Sequence, residues 1–459
     1  MSAPQPLPTQ SRYPFPIKIQ LTPMLQKLFD LRGHGTTVGT EIFAGFTTFL
    51  TMAYIVVVNP LILGEAGLPV AGVAVATCLS AGFGSILMGL LSNYPLALAP
   101  GMGLNAYFTY TVVKGMGLPW QTALGCVFLS GVAFMLLTLA GVRRLIIKAL
   151  PRSLFAAVGG GIGIFIAFIG LRDAGIVVPS PGTVVGLGKV TSAPTALAIL
   201  GLLVIASLQV MRVRAAMLIG ILLIAILAWV LGVSHFAPAS YSLASLGSTA
   251  FKLDIPAALN LKGGVGMSLV EIIFVFLFVD MFDNIGTLVA VTQRAGLVDK
   301  DGSVPRLNRI LLADSISMLV GALAGTSPVT SYIESASGVA VGGRTGLTSM
   351  VVGILFLATL LFAPVVQAIP AFATAPALIL VGALMMAALV EVEWSDPSAA
   401  IPAFLTVIII PLTYSIANGL AFGITSYALL KLIRGQARAS DWLVYLLAAL
   451  CVARFIYLA

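Results

Sequence analysis

The sequence predicts an all-α polytopic membrane protein with about 14 transmembrane segments, arranged as 7+7 inverted repeats. Apolar residues make up 59% of the 459 positions and charged residues only 9%, whereas a soluble domain averages about 25% charged residues. The long apolar stretches are continuous rather than alternating, which favours spanning helices over the strands of a barrel. Basic residues cluster in short connections between these stretches, as in multi-pass membrane proteins.

Twelve continuous helices and two interrupted apolar segments make up the predicted set. The helices are expected near 39–62, 71–93, 118–142, 152–171, 193–210, 213–233, 268–292, 307–325, 346–368, 374–391, 398–415 and 418–434. The interrupted segments are 94–114 and 326–343, which are third and tenth in order. A final apolar stretch, 442–459, contains Arg454 and is expected either to cross the bilayer or to lie at its interface.

The basic connections fall on one side of the membrane if the N-terminus is cytoplasmic. They include Lys18, Lys27 and Arg32 before the first segment, Arg143, Arg144 and Lys148 after the fourth, and Arg294, Lys300, Arg306 and Arg309 after the eighth. The opposite loops, such as 173–192 and 234–266, are nearly neutral. This asymmetry predicts a cell-membrane protein with a cytoplasmic N-terminus. It also accounts for the net charge of +8 without a nucleic-acid partner.

Seven segments per half make the second half inverted, a geometry found in many secondary transporters. The two interrupted segments occupy equivalent positions in the halves. Each has a proline-containing extended piece followed by a polar residue that is expected to open a short helix, Asn105 in one and Glu334 in the other. Such breaks leave helix N-termini facing a cavity, so they predict a binding site near the bilayer midplane. The alternative is that PGMG and TSP are ordinary loops between separate spans.

Acidic residues inside spans are costly unless they are protonated, paired or hydrated. Asp280 and Asp283 share one helical face with Thr287, while Asp314 and Glu334 lie in the ninth and tenth segments. Asp283 and Glu334 are the favoured functional residues. Asp314 is more readily explained as a helix cap or a partner of neighbouring serines, and Asp280 as a packing residue is an equally good interpretation.

Other features indicate neither an enzyme nor a cofactor or metal site. The sequence has no Walker motif, no Ser/His/Asp set and no metal-like spacing of its three cysteines. His34 and His235 lie outside the predicted spans, so no buried histidine relay is expected. The run GGGIG at 159–163 lacks a preceding strand and is interpreted as close helix packing. Glu41 sits at a predicted span end, where a charge can reach the headgroups.

Four motifs resemble the AzgA-like purine permeases, within the nucleobase–cation symporter and nucleobase–ascorbate transporter superfamily. They are GTEIFAGFTTFLTMAYIVVVNP (39–60), LAPGMGLNAYF (98–108), FDNIGTL (282–288) and TSPVTSYIESASGVAVGGRTGL (326–347). The resemblance covers about 39–435. It implies proton symport of adenine, guanine or hypoxanthine, with elevator-like alternating access and short strands before the two half-helices.

The resemblance also implies a core domain that carries substrate and a gate domain. The core comprises 39–142 (spans 1–4) and 267–370 (spans 8–11), and the gate 143–234 (spans 5–7) and 371–436 (spans 12–14). Outside them lie a cytoplasmic segment at 1–38, an extracytoplasmic loop at 235–266 and a hydrophobic segment at 437–459. A homodimer is a further possibility that the sequence does not decide.

By motif, the purine-binding positions correspond to Asn105, Asp283 and Glu334. Thr287, Tyr332 and Ser335 complete the predicted substrate site, with the Tyr332 hydroxyl expected to hold the Glu334 carboxylate. Glu334, then Asp283, is the candidate for proton coupling. Asp280 lies outside the FDxxGT pattern.

Two other functions fit the sequence less well than purine transport. The first is a transporter or channel of the same fold for bicarbonate or sulfate, held at the half-helix N-termini; the two carboxylates would repel such an anion. The second is a membrane receptor or scaffold, which would not need paired interrupted helices.

Overall fold

The computed structural model describes residues 22–140, 151–236, 243–260, 266–298, 304–362, 368–437 and 441–458. Five of the basic residues used for the predicted topology lie outside these ranges: Lys18, Arg143, Arg144, Lys148 and Lys300. Over the described ranges the chain is mostly helical, as predicted.

The first half begins with a short helix before the apolar region. Its helices are α1 (Thr22–Leu28), α2 (Val38–Met52), α3 (Ile55–Glu65), α4 (Val70–Ser92), α5 (Met102–Ala106), α6 (Trp120–Leu139), α7 (Arg152–Asp173), α8 (Ala193–Val210) and α9 (Ala216–Val230). Strand β1 (Leu98–Pro100) precedes α5, a π-helix (Tyr107–Gly115) follows it, and β2 (Val177–Ser180) and β3 (Val184–Leu187) form a hairpin.

The second half follows a connection that contains a 3₁₀ helix (Leu243–Ser248). Its helices are α10 (Ile255–Ala258), α11 (Gly266–Ala295), α12 (Leu307–Ala324), α13 (Ser335–Ala340), α14 (Gly346–Ala358), α15 (Ala371–Met385), α16 (Pro397–Leu412), α17 (Ile416–Ile433) and α18 (Trp442–Leu458). Strand β4 (Val329–Ser331) precedes α13, and 3₁₀ turns extend α14 over Thr359–Phe362 and α15 over Met386–Glu391.

Each of the twelve predicted continuous helices overlaps a described helix, while parts of 118–142 and 346–368 lie outside the described residues. Within the described ranges, nine helical stretches are long and apolar enough to cross a membrane, and four shorter apolar helices accompany them. The first predicted span, 39–62, lies within one apolar helical stretch, Val38–Glu65, in which α2 and α3 are joined through Ala53 and Tyr54 with right-handed helical backbone. The count of fourteen crossings stays a prediction, since length and composition alone do not establish a crossing for the shorter helices.

Equivalent segments of the two halves meet at the paired strands, between α7 and α15, and between α4 and α12, as expected around the axis of an inverted repeat. Strands β1 and β4, of segments 3 and 10, pair antiparallel with Ala99 opposite Thr330. Helices α7 and α15, of segments 5 and 12, meet at Gly163 and Gly382, where a Cβ on Gly382 would lie 2.2 Å from the Gly163 carbonyl oxygen. The interpretation of GGGIG as a close-packing motif is confirmed.

The long helices pack in two groups. In one, α4 lies along α12 and α14, α2 along α14, and α6 along α11 and α12; in the other, α7 lies along α15 and α16, α8 along α9 and α15, and α16 along α17. The first group surrounds the paired strands. The assignment of the groups as core and gate domains stays a prediction.

Glu41 does not reach the headgroups, contrary to the sequence-based expectation. Its side chain is fully buried. The carboxylate accepts hydrogen bonds from the backbone N–H groups of Arg344 (2.9 Å) and Thr345 (3.2 Å) and from the Thr348 hydroxyl (2.6 Å). It therefore ties α2 to the beginning of α14, where a negative charge also complements the helix dipole.

Candidate functional site

The two interrupted segments meet through their strands. The predicted short strands are present, and the pairing continues past them: Gly101 N–H donates to the Pro328 carbonyl (2.9 Å) and Tyr332 N–H to the Ala97 carbonyl (2.9 Å). Pro100 ends β1 and Pro328 immediately precedes β4, and proline at these positions disfavours a continuous helix. The pairing satisfies backbone groups that neither lipid nor a helix would satisfy. It brings α5 and α13, which follow the two strands, into one region.

Asn105 lies within α5 and does not open it. The helix begins at Met102 after Gly101, so the expectation that Asn105 opens it is wrong. The Asn105 side chain is fully buried, and its Oδ1 accepts a hydrogen bond from the Ser327 hydroxyl. Among the described residues, its Nδ2 has no hydrogen-bond partner. A buried amide without a partner is costly, which makes it a candidate ligand donor.

A buried polar network that the sequence did not single out lies behind Asn105. Asn59 Nδ2 donates to the hydroxyls of Thr77 (2.7 Å) and Thr326 (2.8 Å). Asn59 Oδ1 lies 3.4 Å from the Ser327 hydroxyl. Ser327 therefore links the Asn59 network to Asn105. The only sequence signal was the position of Asn59 at the end of the motif 39–60.

Glu334 immediately precedes α13 and is half-buried. Its Oε1 accepts a hydrogen bond from the Tyr54 hydroxyl at 2.8 Å. The expectation that Tyr332 holds this carboxylate is wrong, because the Tyr332 hydroxyl donates to the Pro100 carbonyl. Tyr332 continues the strand pairing, and that places its hydroxyl toward β1. Tyr54 was missed because it lies 280 residues from Glu334 within an unremarkable apolar run.

Asp283 lies on α11, which packs against both α13 and β4. It is close enough to Glu334 for the two carboxylates to interact electrostatically. Both are half-buried, whereas Asp280 and Asp314 are fully buried. The structure thus brings Asp283 and Glu334 close to each other, and both side chains are partly accessible.

The remaining two candidates have different surroundings. Thr287 follows Asp283 by about one helical turn and is buried. Ser335 is also buried, and its hydroxyl oxygen accepts the Ala97 backbone N–H at 3.0 Å, which fastens α13 to the residue before β1. Substrate contact by either residue stays a prediction.

Known proteins are similar to this chain along most of its length. The family described as "Permease family" matches residues 39–422. The chain belongs to this family. The permease is 45% identical to the adenine permease AdeP of Escherichia coli, with 95% of this chain and 96% of that protein covered. It is 44% identical to the guanine/hypoxanthine permease PbuG of Bacillus subtilis, with 95% and 100% covered. The resemblance to AzgA-like purine permeases is confirmed.

Solved structures with the same fold are more distant in sequence. The permease superposes on the transmembrane domain of the cyanobacterial bicarbonate transporter BicA with a TM-score of 0.65 at 15% identity, covering 83% of this chain and 97% of that one. For SLC26A9 the TM-score is 0.60 at 12% identity, with 95% and 74% covered. At these identities the likeness shows the fold alone, and it confirms the predicted fold class.

Proposed function

We propose that this permease imports purine nucleobases across the cell membrane by proton symport, with the purine held between α5, α11 and α13. The observation that carries the proposal is the juxtaposition of two carboxylates, Asp283 and Glu334, beside the strand pair that also positions the open amide of Asn105. Relatives named as adenine and guanine/hypoxanthine permeases share 43–45% of residues over nearly the whole chain, which supports a purine as the substrate.

The polar groups suit a purine. Purines are planar and carry N–H donors and ring-nitrogen acceptors along their edges. A carboxylate accepts two parallel N–H bonds, which favours Glu334 or Asp283 as the partner of a donor edge. The Asn105 oxygen is already engaged by Ser327, so its Nδ2 is the group available to donate to a ring nitrogen.

A carboxylate in the site also links substrate to proton. Two negative charges near the middle of the membrane are unfavourable, and protonation of one of them lowers the cost of moving the loaded site past an apolar gate. The histidines His34 and His235 lie outside the apolar segments. Glu334 is therefore the first candidate proton carrier and Asp283 the second.

The mode of movement in the proposal is an elevator-like displacement. The helices around the strand pair would carry the site, and the group containing α7, α15 and α16 would form the gate. The N-terminus would face the cytoplasm, as the positions of the basic residues predict. These assignments agree with the two packing groups and with the family resemblance.

Anion transport by the same fold is the competing function. BicA and the SLC26 protein have this fold, but their sequences share only 12–15% of residues with the permease. Asp283 and Glu334 would repel a bicarbonate or sulfate ion bound beside them. A neutral purine has no such penalty.

Uptake by cells that lack endogenous purine permeases tests the proposed substrate. Labelled adenine, guanine, hypoxanthine, uracil and sulfate would be offered separately to cells that express the protein and to cells with an empty vector. Saturable uptake of at least one purine, without uracil or sulfate uptake, is expected. Uptake of sulfate alone, or of no purine despite protein in the membrane, would overturn the proposed function.

A further inference from the structure

Tyr54 lies in a tightened turn that joins α2 and α3 within the first apolar span. Helix α2 ends at Met52 and α3 begins at Ile55. Around this turn the backbone bonds tighten, with Val56 N–H donating to the Ala53 carbonyl (3.2 Å) and Val57 N–H to the Tyr54 carbonyl (3.0 Å). The Tyr54 side chain is 1% exposed and directs its hydroxyl to Glu334. The tightened turn therefore places the buried Tyr54 side chain beside the start of α13.

The end of α2 packs closely against α13, and this packing limits the positions that the Tyr54 hydroxyl can adopt. The hydroxyls of Thr51 and Ser337 are 3.0 Å apart. A Cβ on Gly338 would lie 2.2 Å from Thr48 Oγ1 and 2.7 Å from the Ala44 carbonyl oxygen. Because these contacts hold the end of α2 against α13, the packing beside Tyr54 supports its hydrogen bond to Glu334.

We propose that Tyr54 is a positioning residue for Glu334: it holds Oε1, leaves Oε2 for the substrate and the proton, and stabilises the carboxylate over the carboxylic acid. A hydroxyl that donates to a carboxylate stabilises the charged form. Stabilisation of the Glu334 carboxylate by Tyr54 does not depend on which solute is transported. The role of Tyr54 in transport rests on the proposed function.

Other titratable groups that lie near Glu334 in space, or follow it in the motif 326–347, act differently. Asp283 approaches from α11 and, when ionised, opposes a second negative charge. Tyr332, in the same segment, directs its hydroxyl to the Pro100 carbonyl. Arg344, beyond the end of α13, donates to the carbonyls of Val339 and Gly343, both at 2.7 Å. Tyr54 is thus the described side chain that donates to the Glu334 carboxylate.

Infrared titration of the full-length protein in lipid nanodiscs tests the proposal directly. The carboxyl stretch of Glu334 is identified as the band lost in Glu334→Gln. In Tyr54→Phe its half-protonation should move to higher pH by about one to two units, the size expected for one hydrogen bond to an ionised acceptor. The control is Tyr94→Phe, which removes a buried hydroxyl that donates to the Pro305 carbonyl at 2.9 Å, and it should leave the midpoint unchanged.

A second variant covers the case in which Tyr54→Phe fails to fold. A fluorinated tyrosine at position 54 is a stronger donor of similar shape, and it should move the midpoint to lower pH. Equal midpoints in wild type and either Tyr54 variant would overturn the proposal. Uptake assays separate this outcome from failure of the proposed function, because a protein that transports no purine still gives the infrared result.

Discussion

Replacement of Glu41 by glutamine probes how α2 is joined to α14. The carboxylate is fully buried and accepts two backbone N–H groups and one hydroxyl. Glutamine keeps the shape but turns one acceptor oxygen into a donor, so one backbone N–H loses its partner. That loss costs about 1–3 kcal/mol, and removal of a negative charge near the helix N-terminus adds about 0.3–1 kcal/mol. Glu41→Gln should therefore lower the free energy of unfolding by about 1.3–4 kcal/mol.

Denaturant titration of purified protein in mixed micelles measures this change. The matched control is Glu391→Gln, which removes an exposed carboxylate at the end of a 3₁₀ turn and should change the free energy of unfolding by less than about 0.5 kcal/mol. If Glu41→Gln unfolds at the same denaturant concentration as wild type, the three hydrogen bonds do not contribute to stability as argued.

Three further predictions concern the site and its support. Asp283→Asn should abolish equilibrium binding of labelled purine while Asp280→Asn keeps a measurable affinity; the reverse pattern would contradict the assignment. Ser327→Ala removes the hydroxyl that orients Asn105 and should weaken purine binding about 3- to 10-fold, whereas unchanged affinity would show that the hydroxyl does not position the amide. Gly338→Ala places a methyl group against the backbone of α2 and should cost about 1–3 kcal/mol of stability, so wild-type unfolding would refute the close contact.

The positions of the helices were predictable because continuous apolar runs have few alternatives in lipid. The sixth predicted span, 193–210, coincides with α8 at both ends. The interruption of segments 94–114 and 326–343 was predictable for a related reason, because proline and glycine there leave backbone groups that must find partners; the short strands were implied only by the family resemblance, and their pairing with each other was not predicted. Both results follow from the cost of unsatisfied backbone in a bilayer.

Contacts between distant segments were not predictable from one sequence. Tyr332 is two residues from Glu334, but strand pairing directs its hydroxyl elsewhere, and Tyr54 takes its expected place. The apolar run around Tyr54 contains no residue that predicts the tightened turn between α2 and α3. Glu41 was expected to contact lipid headgroups because it is near the end of a predicted span. The residues at the start of α14 instead cover its side chain.

Concentrative purine uptake driven by a pH gradient tests the central claim most directly. Proteoliposomes with wild-type protein or Glu334→Gln would receive labelled purine under an imposed gradient, acidic on the side of entry, with and without a protonophore. The account predicts accumulation by wild type that the protonophore abolishes, and no accumulation by the variant. Accumulation that survives the protonophore or follows a sodium gradient would contradict proton coupling, and accumulation by Glu334→Gln would transfer the role to Asp283.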